Sequence, residues 1–303
     1  MCRVLSYLGE PILIENLLYK PDNSFIKQSY HPIYMSHLLN LAGFGMVAWD
    51  EDGYNPALPF IYKTEQLPIY DHNLKNLTQK ITPHCLLTHI RGVPYHEKQI
   101  VSKQNVHPFI YPNSQLAFAH NGALFNFEAM KLDLLKFIKP SVGKYLQGTT
   151  DSEWLYALLL SQLHNENEET MIEAILKMFS ILKTLRYKHN IRVNSPLNLF
   201  MSNGQYIIAT RFAFDYGWEP LSSEKLDKAH FFYHSLWYTY GEKFVSEKNT
   251  YFMKAGKKRE SIIIASEPLT EDTTTWIEMP EYTILLAKKE SQGIKIQTYD
   301  INL

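Results

Sequence analysis

The 303-residue chain carries 30 basic and 31 acidic residues, a formal net charge of -1, with 45% hydrophobic and 20% charged residues. That balance leaves no electrostatic footprint for nucleic acid or an acidic membrane surface, and the composition is that of a soluble globular protein with a large core. Two cysteines, Cys2 and Cys85, exclude a disulfide scaffold while permitting one bridge, and no apolar run approaches the ~20 residues of a membrane span.

In chain order, Cys2-Arg3-Val4-Leu5-Ser6-Tyr7-Leu8 alternates in part and predicts a strand ending at Gly9. Pro11 to Pro21, then Ser24 to Tyr30, reads as loop with short helical turns. Gly43 to Trp49 predicts a second strand, followed by the turn dipeptide Asp52-Gly53 and paired as a hairpin with Phe60 to Lys63. Cys85 to Arg91 and Gln115 to Ala119 predict two more. Helices occupy the middle. Phe127 to Ile138 places Met130, Leu134, Leu135 and Ile138 near helical spacing behind an Asn126 cap. Thr150-Asp151-Ser152-Glu153 matches a capping box and starts a helix to about Leu163. A third runs from about Glu168 to Tyr187. Leu197 to Met201 and Gln205 to Thr210 flank Asn203-Gly204, a strong hairpin signal. Late strands are predicted at Phe231 to Tyr240, Ser261 to Ser266, Tyr282 to Lys288 and Ile294 to Tyr299. The basic run Lys254 to Arg259 reads as a solvated turn between strands. With no repeat, low-complexity tract or linker, residues 1–303 read as one domain.

The N-terminus lacks a basic segment followed by a long apolar one, which predicts no signal peptide and a reduced, cytoplasmic setting where Cys2 stays a thiol. A cysteine directly after Met1 becomes the first residue of the mature chain once the methionine is removed. Its free α-amino group, with an unperturbed pKa of about 7.7–8.0, then sits beside the thiol and can move protons near neutral pH. One residue supplies nucleophile and base. Taken alone, though, a cysteine at position 2 is more often chance.

The surrounding motifs add to it. The opening through Gly9, Pro11-Ile12-Leu13-Ile14, Leu17 to Pro21, Ser24 and Gln28-Ser29 is joined by Gly43-Phe44-Gly45, Thr88-His89-Ile90-Arg91 and Asn105-Val106-His107-Pro108-Phe109. Then come His120-Asn121-Gly122, Gly148-Thr149-Thr150-Asp151-Ser152-Glu153 and Ala265-Ser266-Glu267-Pro268-Leu269 with Trp276. In this order they resemble the class II glutamine amidotransferases, N-terminal nucleophile hydrolases. The likeness is greatest to the stand-alone branch holding the ergothioneine-pathway γ-glutamyl hydrolase and the glutathione-degradation amidohydrolase. The resemblance implies an α+β fold of four layers, αββα, with two antiparallel sheets between helices.

It also implies roles. Cys2 attacks a γ-glutamyl amide, and the Asn121 side-chain NH2 and Gly122 backbone N–H form the oxyanion hole, although Asn-Gly is also an ordinary turn dipeptide. Arg91 clamps the substrate α-carboxylate through paired hydrogen bonds; otherwise it is a surface arginine at a strand end. Asp151 meets the α-ammonium, compatibly with its place as an acid at a helix start. Thr150, His89 and His107 complete the expected substrate contacts, with a structural core role as the other reading of the two histidines. His230 and His234 lie four apart on strand-like sequence and make no helical ligand pair, and no phosphate loop is present, so neither metal nor cofactor is expected.

Two departures bear on substrate choice. Where the relatives carry Asn-Ala-Asp this chain has Asn40-Leu41-Ala42, and Gly92-Val93-Pro94-Tyr95 replaces small residues leading to a threonine. The expected partner is a small γ-glutamyl substrate. Alternatives are a glutaminase subunit feeding ammonia to a separate synthase, and a non-catalytic γ-glutamyl-binding protein.

Overall fold

The structure, a computed structural model, describes residues 2–34, 40, 42–92, 101–112, 114–216 and 234–303. Leu41, Val93-Pro94-Tyr95, His230 and the first part of the Phe231–Tyr240 strand lie outside the described residues. Strands β1 (Arg3–Gly9), β2 (Phe44–Trp49), β3 (Phe60–Thr64) and β4 (Cys85–Ile90) come first, then β5 (Ala117–Gly122), β6 (Ser195–Ser202), β7 (Tyr206–Arg211) and the short β8 (Ala213–Phe214). The C-terminal part adds β9 (Trp237–Gly241), β10 (Lys243–Glu247), β11 (Thr250–Lys254), β12 (Ser261–Ala265), β13 (Ile277–Glu278), β14 (Thr283–Glu290) and β15 (Gly293–Asp300). The first sheet runs β13-β9-β12-β1-β4-β2-β3 and the second β15-β14-β7-β6-β5, with β8 on β6. Their pairings are antiparallel throughout.

Period-two alternation sorts each strand's side chains between two faces. Val4, Leu8, Val47, Cys85, Leu87, Ile262 and Ile264 of the first sheet meet Ala117, Ala119, Phe200, Ile207, Ala209 and Leu285 of the second in one apolar layer. The outer face of the second sheet, through Phe118, Leu199, Ile208 and Leu286, packs under helices α3 (Phe127–Leu134), α5 (Asp151–Gln162) and α6 (Glu168–Lys188). On the other side, Leu5, Tyr7, Met46, Leu86 and Ile263 are covered by Ile12 to Ile26, including helix α1 (Glu15–Leu18), by Leu74 of α2 (His72–Thr78) and by Phe244, Met253 and Trp276. The result is the expected helix–sheet–sheet–helix order, with a thin, partly β outer layer on the first sheet. Each large aliphatic or Phe side chain buried this way contributes roughly 1.5–3 kcal/mol.

Several local expectations change in detail. Asn126 adopts a left-handed conformation, φ 56°, and its side chain accepts no bond from the helix that follows. The predicted Phe127–Ile138 helix stays α-helical to Leu134 and tightens to a 3-10 turn over Leu135–Phe137. Pro140 then keeps Lys139 extended, at ψ 135°. At α5 only half the capping box forms. Thr150 Oγ1 accepts the Glu153 N–H, but the Glu153 carboxylate takes the N–H groups of Gln147 and Gly148 instead. The Asn-Gly dipeptide at 121–122 is no turn: it ends β5 in register with Asn198 and Leu197.

Candidate active site

The site forms where β1 begins. Cys2 is half-buried, and its Sγ lies 3.4 Å from the Gly92 backbone N–H nitrogen and 3.7 Å from the Gly92 carbonyl oxygen. Because β1 and β4 pair with Arg3 opposite Ile90, the residues just past both strand ends, Cys2 and the Arg91-Gly92 pair, come together. Cys85, by contrast, is fully buried beside Ser202 Oγ at 3.2 Å, and burial pushes its thiol up to about 12.

Asn121 arrives from the second sheet. It shares a face with Ala117 and Ala119, is fully buried, and its Nδ2 donates to Ser266 Oγ at 3.1 Å. That same oxygen accepts the Val4 N–H at 3.0 Å, two residues from Cys2. Gly122 is required sterically, since a Cβ there would stand 1.9 Å from the Pro196 carbonyl oxygen. His120 faces the helices, with Nδ1 2.9 Å from Ser152 Oγ and Nε2 3.1 Å from the Pro196 oxygen.

Arg91 is buried; burial lowers its pKa, and the nearby charges of Cys2 and Asp151 oppose that shift. The guanidinium therefore lies within electrostatic reach of both. Asp151 opens α5 with Oδ2 taking the Leu124 N–H and Oδ1 taking the Ser152 N–H at 2.8 Å, so the turn after Gly122 and the start of the helix share one carboxylate. Thr150, immediately before it, spends its hydroxyl oxygen on the helix cap.

His89 and His107 stack ring on ring, 4.1 Å between centroids. Both are buried, and burial lowers both pKa values, His89 to about 3, with the Arg91 charge adding to the effect. Gly45 explains the Gly43-Phe44-Gly45 motif, because a Cβ there would meet the His107 carbonyl oxygen at 2.1 Å. Asn105 locks this segment to the helix entry: its Oδ1 accepts the Thr149 N–H at 2.9 Å and its Nδ2 donates to Thr149 Oγ1 at 3.0 Å. Cys2, Arg91, Asp151 and the Asn121–Gly122 strand end thus occupy one neighbourhood, with the histidines packed behind Arg91.

Three contributors carry no role in the sequence reading. Arg3 and Glu267 form an ion pair at 3.2 Å with both side chains fully buried, and Arg3 also donates to the Cys2 carbonyl oxygen at 3.0 Å. Glu267 Oε2 in turn accepts the N–H groups of Ile33 and Tyr34. The third is Ser266. The Ala-Ser-Glu-Pro-Leu motif was the available signal, but only the register of β1 against β12 shows what its Ser and Glu touch.

Comparison with known proteins gives the family and the fold. The model of the family described as glutamine amidotransferases class-II matches residues 43–298. The chain belongs to the class II glutamine amidotransferases. It is an amidohydrolase-type enzyme by that membership. It is 28% identical over 318 aligned residues, 96% of this chain and 83% of the relative, to a Saccharomyces cerevisiae protein described as a probable glutamine amidotransferase, DUG3. Among solved structures, a glutamine aminotransferase class-II domain protein from Silicibacter pomeroyi superposes with a TM-score of 0.61 at 20% identity, covering 99% of this chain and 100% of that one. A glutamine phosphoribosylpyrophosphate amidotransferase from B. subtilis superposes with a TM-score of 0.58 at 17% identity, covering all of this chain but 50% of that one. At these identities the likeness establishes the shared fold, which is that of the N-terminal nucleophile amidotransferases.

Proposed function

We propose that the chain, acting as one amidotransferase unit, hydrolyses a γ-glutamyl amide through a thioester on Cys2. The carrying observation is the convergence of a half-buried Cys2 sulfur, the Arg91 guanidinium and the Asp151 carboxylate beside the strand that ends in Asn121 and Gly122. Arg91 and Asp151 bear the charges that complement a zwitterionic glutamyl end, the first by paired hydrogen bonds to the carboxylate and the second as acceptor for the ammonium. Cys2 Sγ then attacks the γ-carbonyl carbon, and Asn121 Nδ2–H with the Gly122 N–H receives the developing oxyanion. The Cys2 α-amine, free once Met1 is removed, takes the thiol proton and returns it to the leaving amine as the C–N bond breaks. Water, deprotonated by the same amine, attacks the thioester carbonyl and the C–S bond breaks, releasing glutamate and regenerating the thiol.

Ammonia or a larger amine leaves, according to what lies beyond the γ-carbonyl, and a separate synthase accepting ammonia would use the same first step. The test uses protein shown by intact mass to begin at Cys2, incubated with glutamine and a panel of γ-glutamyl amides. Glutamate release is expected from at least one, and Cys2→Ala is expected to abolish it with the fold intact. Equal turnover by Cys2→Ala would end this reading.

A further inference from the structure

We propose that Ser266 is a positioning residue that registers Asn121 against the nucleophile strand, so that nucleophile and oxyanion donor hold a fixed relation across two sheets. This rests on the reading of Asn121 as an oxyanion donor. A serine hydroxyl offers two acceptor lone pairs and one proton. Here the lone pairs are engaged by the Val4 N–H at 3.0 Å and by Asn121 Nδ2 at 3.1 Å. Val4 belongs to the first sheet and Asn121 to the second, and the layer between those sheets is largely apolar. One oxygen therefore spans the boundary that the two halves of the site must straddle.

The oxygen itself is held firmly. The Ser266 N–H donates to the Val4 carbonyl at 2.9 Å, its carbonyl accepts the Ser235 hydroxyl at 2.6 Å, and the residue is fully buried. Asn121 Nδ2 carries two N–H groups, and Ser266 takes one, which leaves the second for an oxyanion. Without that anchor the buried amide can rotate about its side chain while the backbone of β5 stays paired with β6. A displaced donor weakens stabilisation of the transition state with little effect on the ground-state complex, because Arg91 follows β4 and Asp151 opens α5, and both elements keep their own pairing and capping.

The experiment is a double-mutant cycle on the full chain, with kcat, KM and the rate of Cys2 alkylation by iodoacetamide measured for each variant. Ser266→Ala is expected to lower kcat by about 10- to 100-fold, with KM within about twofold and alkylation unchanged. Asn121→Ala is expected to lower kcat by about 100- to 1,000-fold, and the double variant to match it within about threefold, since both changes remove one function. Ser266→Thr, which keeps the hydroxyl, should restore kcat. If Ser266→Ala does not fold, Ser266→Cys, a weaker acceptor, replaces it in the cycle. Wild-type kcat in the Ser266 variant overturns the proposal. So do losses that multiply in the double variant, or a parallel fall in alkylation, which would place the role in holding Cys2 instead. Absence of turnover in the wild-type protein overturns the hydrolase reading itself, a result distinct from all of these.

Discussion

At the scale of single residues, the two cysteines divide by environment. The thiolate is the reactive form, and burial at Cys85 pushes its pKa up to about 12 whereas Cys2 sits half-exposed at a strand start. Iodoacetamide at pH 8 should therefore add one carbamidomethyl group to the native protein, located at Cys2 by peptide mass, and a second only after unfolding. Prior modification of Cys85 in folded protein would contradict the burial. Cys2, Arg91, Asp151, Asn121 and Gly122, on which the proposed mechanism rests, could be named from the sequence because each sits in a motif whose chemistry suggests a task. Arg3, Ser266 and Glu267 were not, since a serine or an ion pair acquires meaning only through its partner. Those partners lie 262 residues away for Ser266 and Val4, a separation no local pattern encodes.

At the scale of elements, apolar, β-rich runs bounded by turn residues located most strands to within a few residues, because strands buried on both faces read as near-continuous hydrophobic stretches. The hairpin of β10 and β11 escaped notice. Its strands are half exposed, with burial patterns that mix charge and aromatics, so neither period dominates. At Asn121-Gly122 the alternative turn reading of the dipeptide is overruled by ladder pairing to β6. Glycine serves close approach there, with the Pro196 oxygen 1.9 Å from where a Cβ would stand and His120 Nε2 2.6 Å away. Gly122→Ala should consequently destabilise the protein by about 1–3 kcal/mol or more through displacement of β6, read as a lower urea midpoint. An unchanged midpoint would mean the strands part without cost.

At the scale of the whole molecule, three buried histidines cluster where the sheets meet the site. Burial lowers the pKa of His89, His107 and His120, with the nearby Arg91 charge adding to it at the first two and the Asp151 charge opposing it at the third. Against an unfolded value of about 6.5, their folded values are depressed, so the unfolded chain binds protons that the native state refuses. The stability they contribute is complete above about pH 6.5 and falls as pH drops toward the folded values, by at most about 1.4 kcal/mol per pH unit for each histidine. Urea unfolding at pH 7.5, 6 and 5 should show this decline, and a flat profile would mean the folded protein takes up these protons as readily as the unfolded chain. Cysteine alkylation followed over the same range separates loss of fold from loss of thiol reactivity.

The Glu267 carboxylate has a mechanical consequence. One of its oxygens grips Arg3, which holds the Cys2 carbonyl, while the other gathers the amides of Ile33 and Tyr34, whose ring lies against Trp237 at 5.6 Å. The surface segment and the start of β1 are thus hung from opposite ends of one buried carboxylate. A displacement on the Tyr34 side would therefore reach the Cys2 carbonyl through a single buried charge.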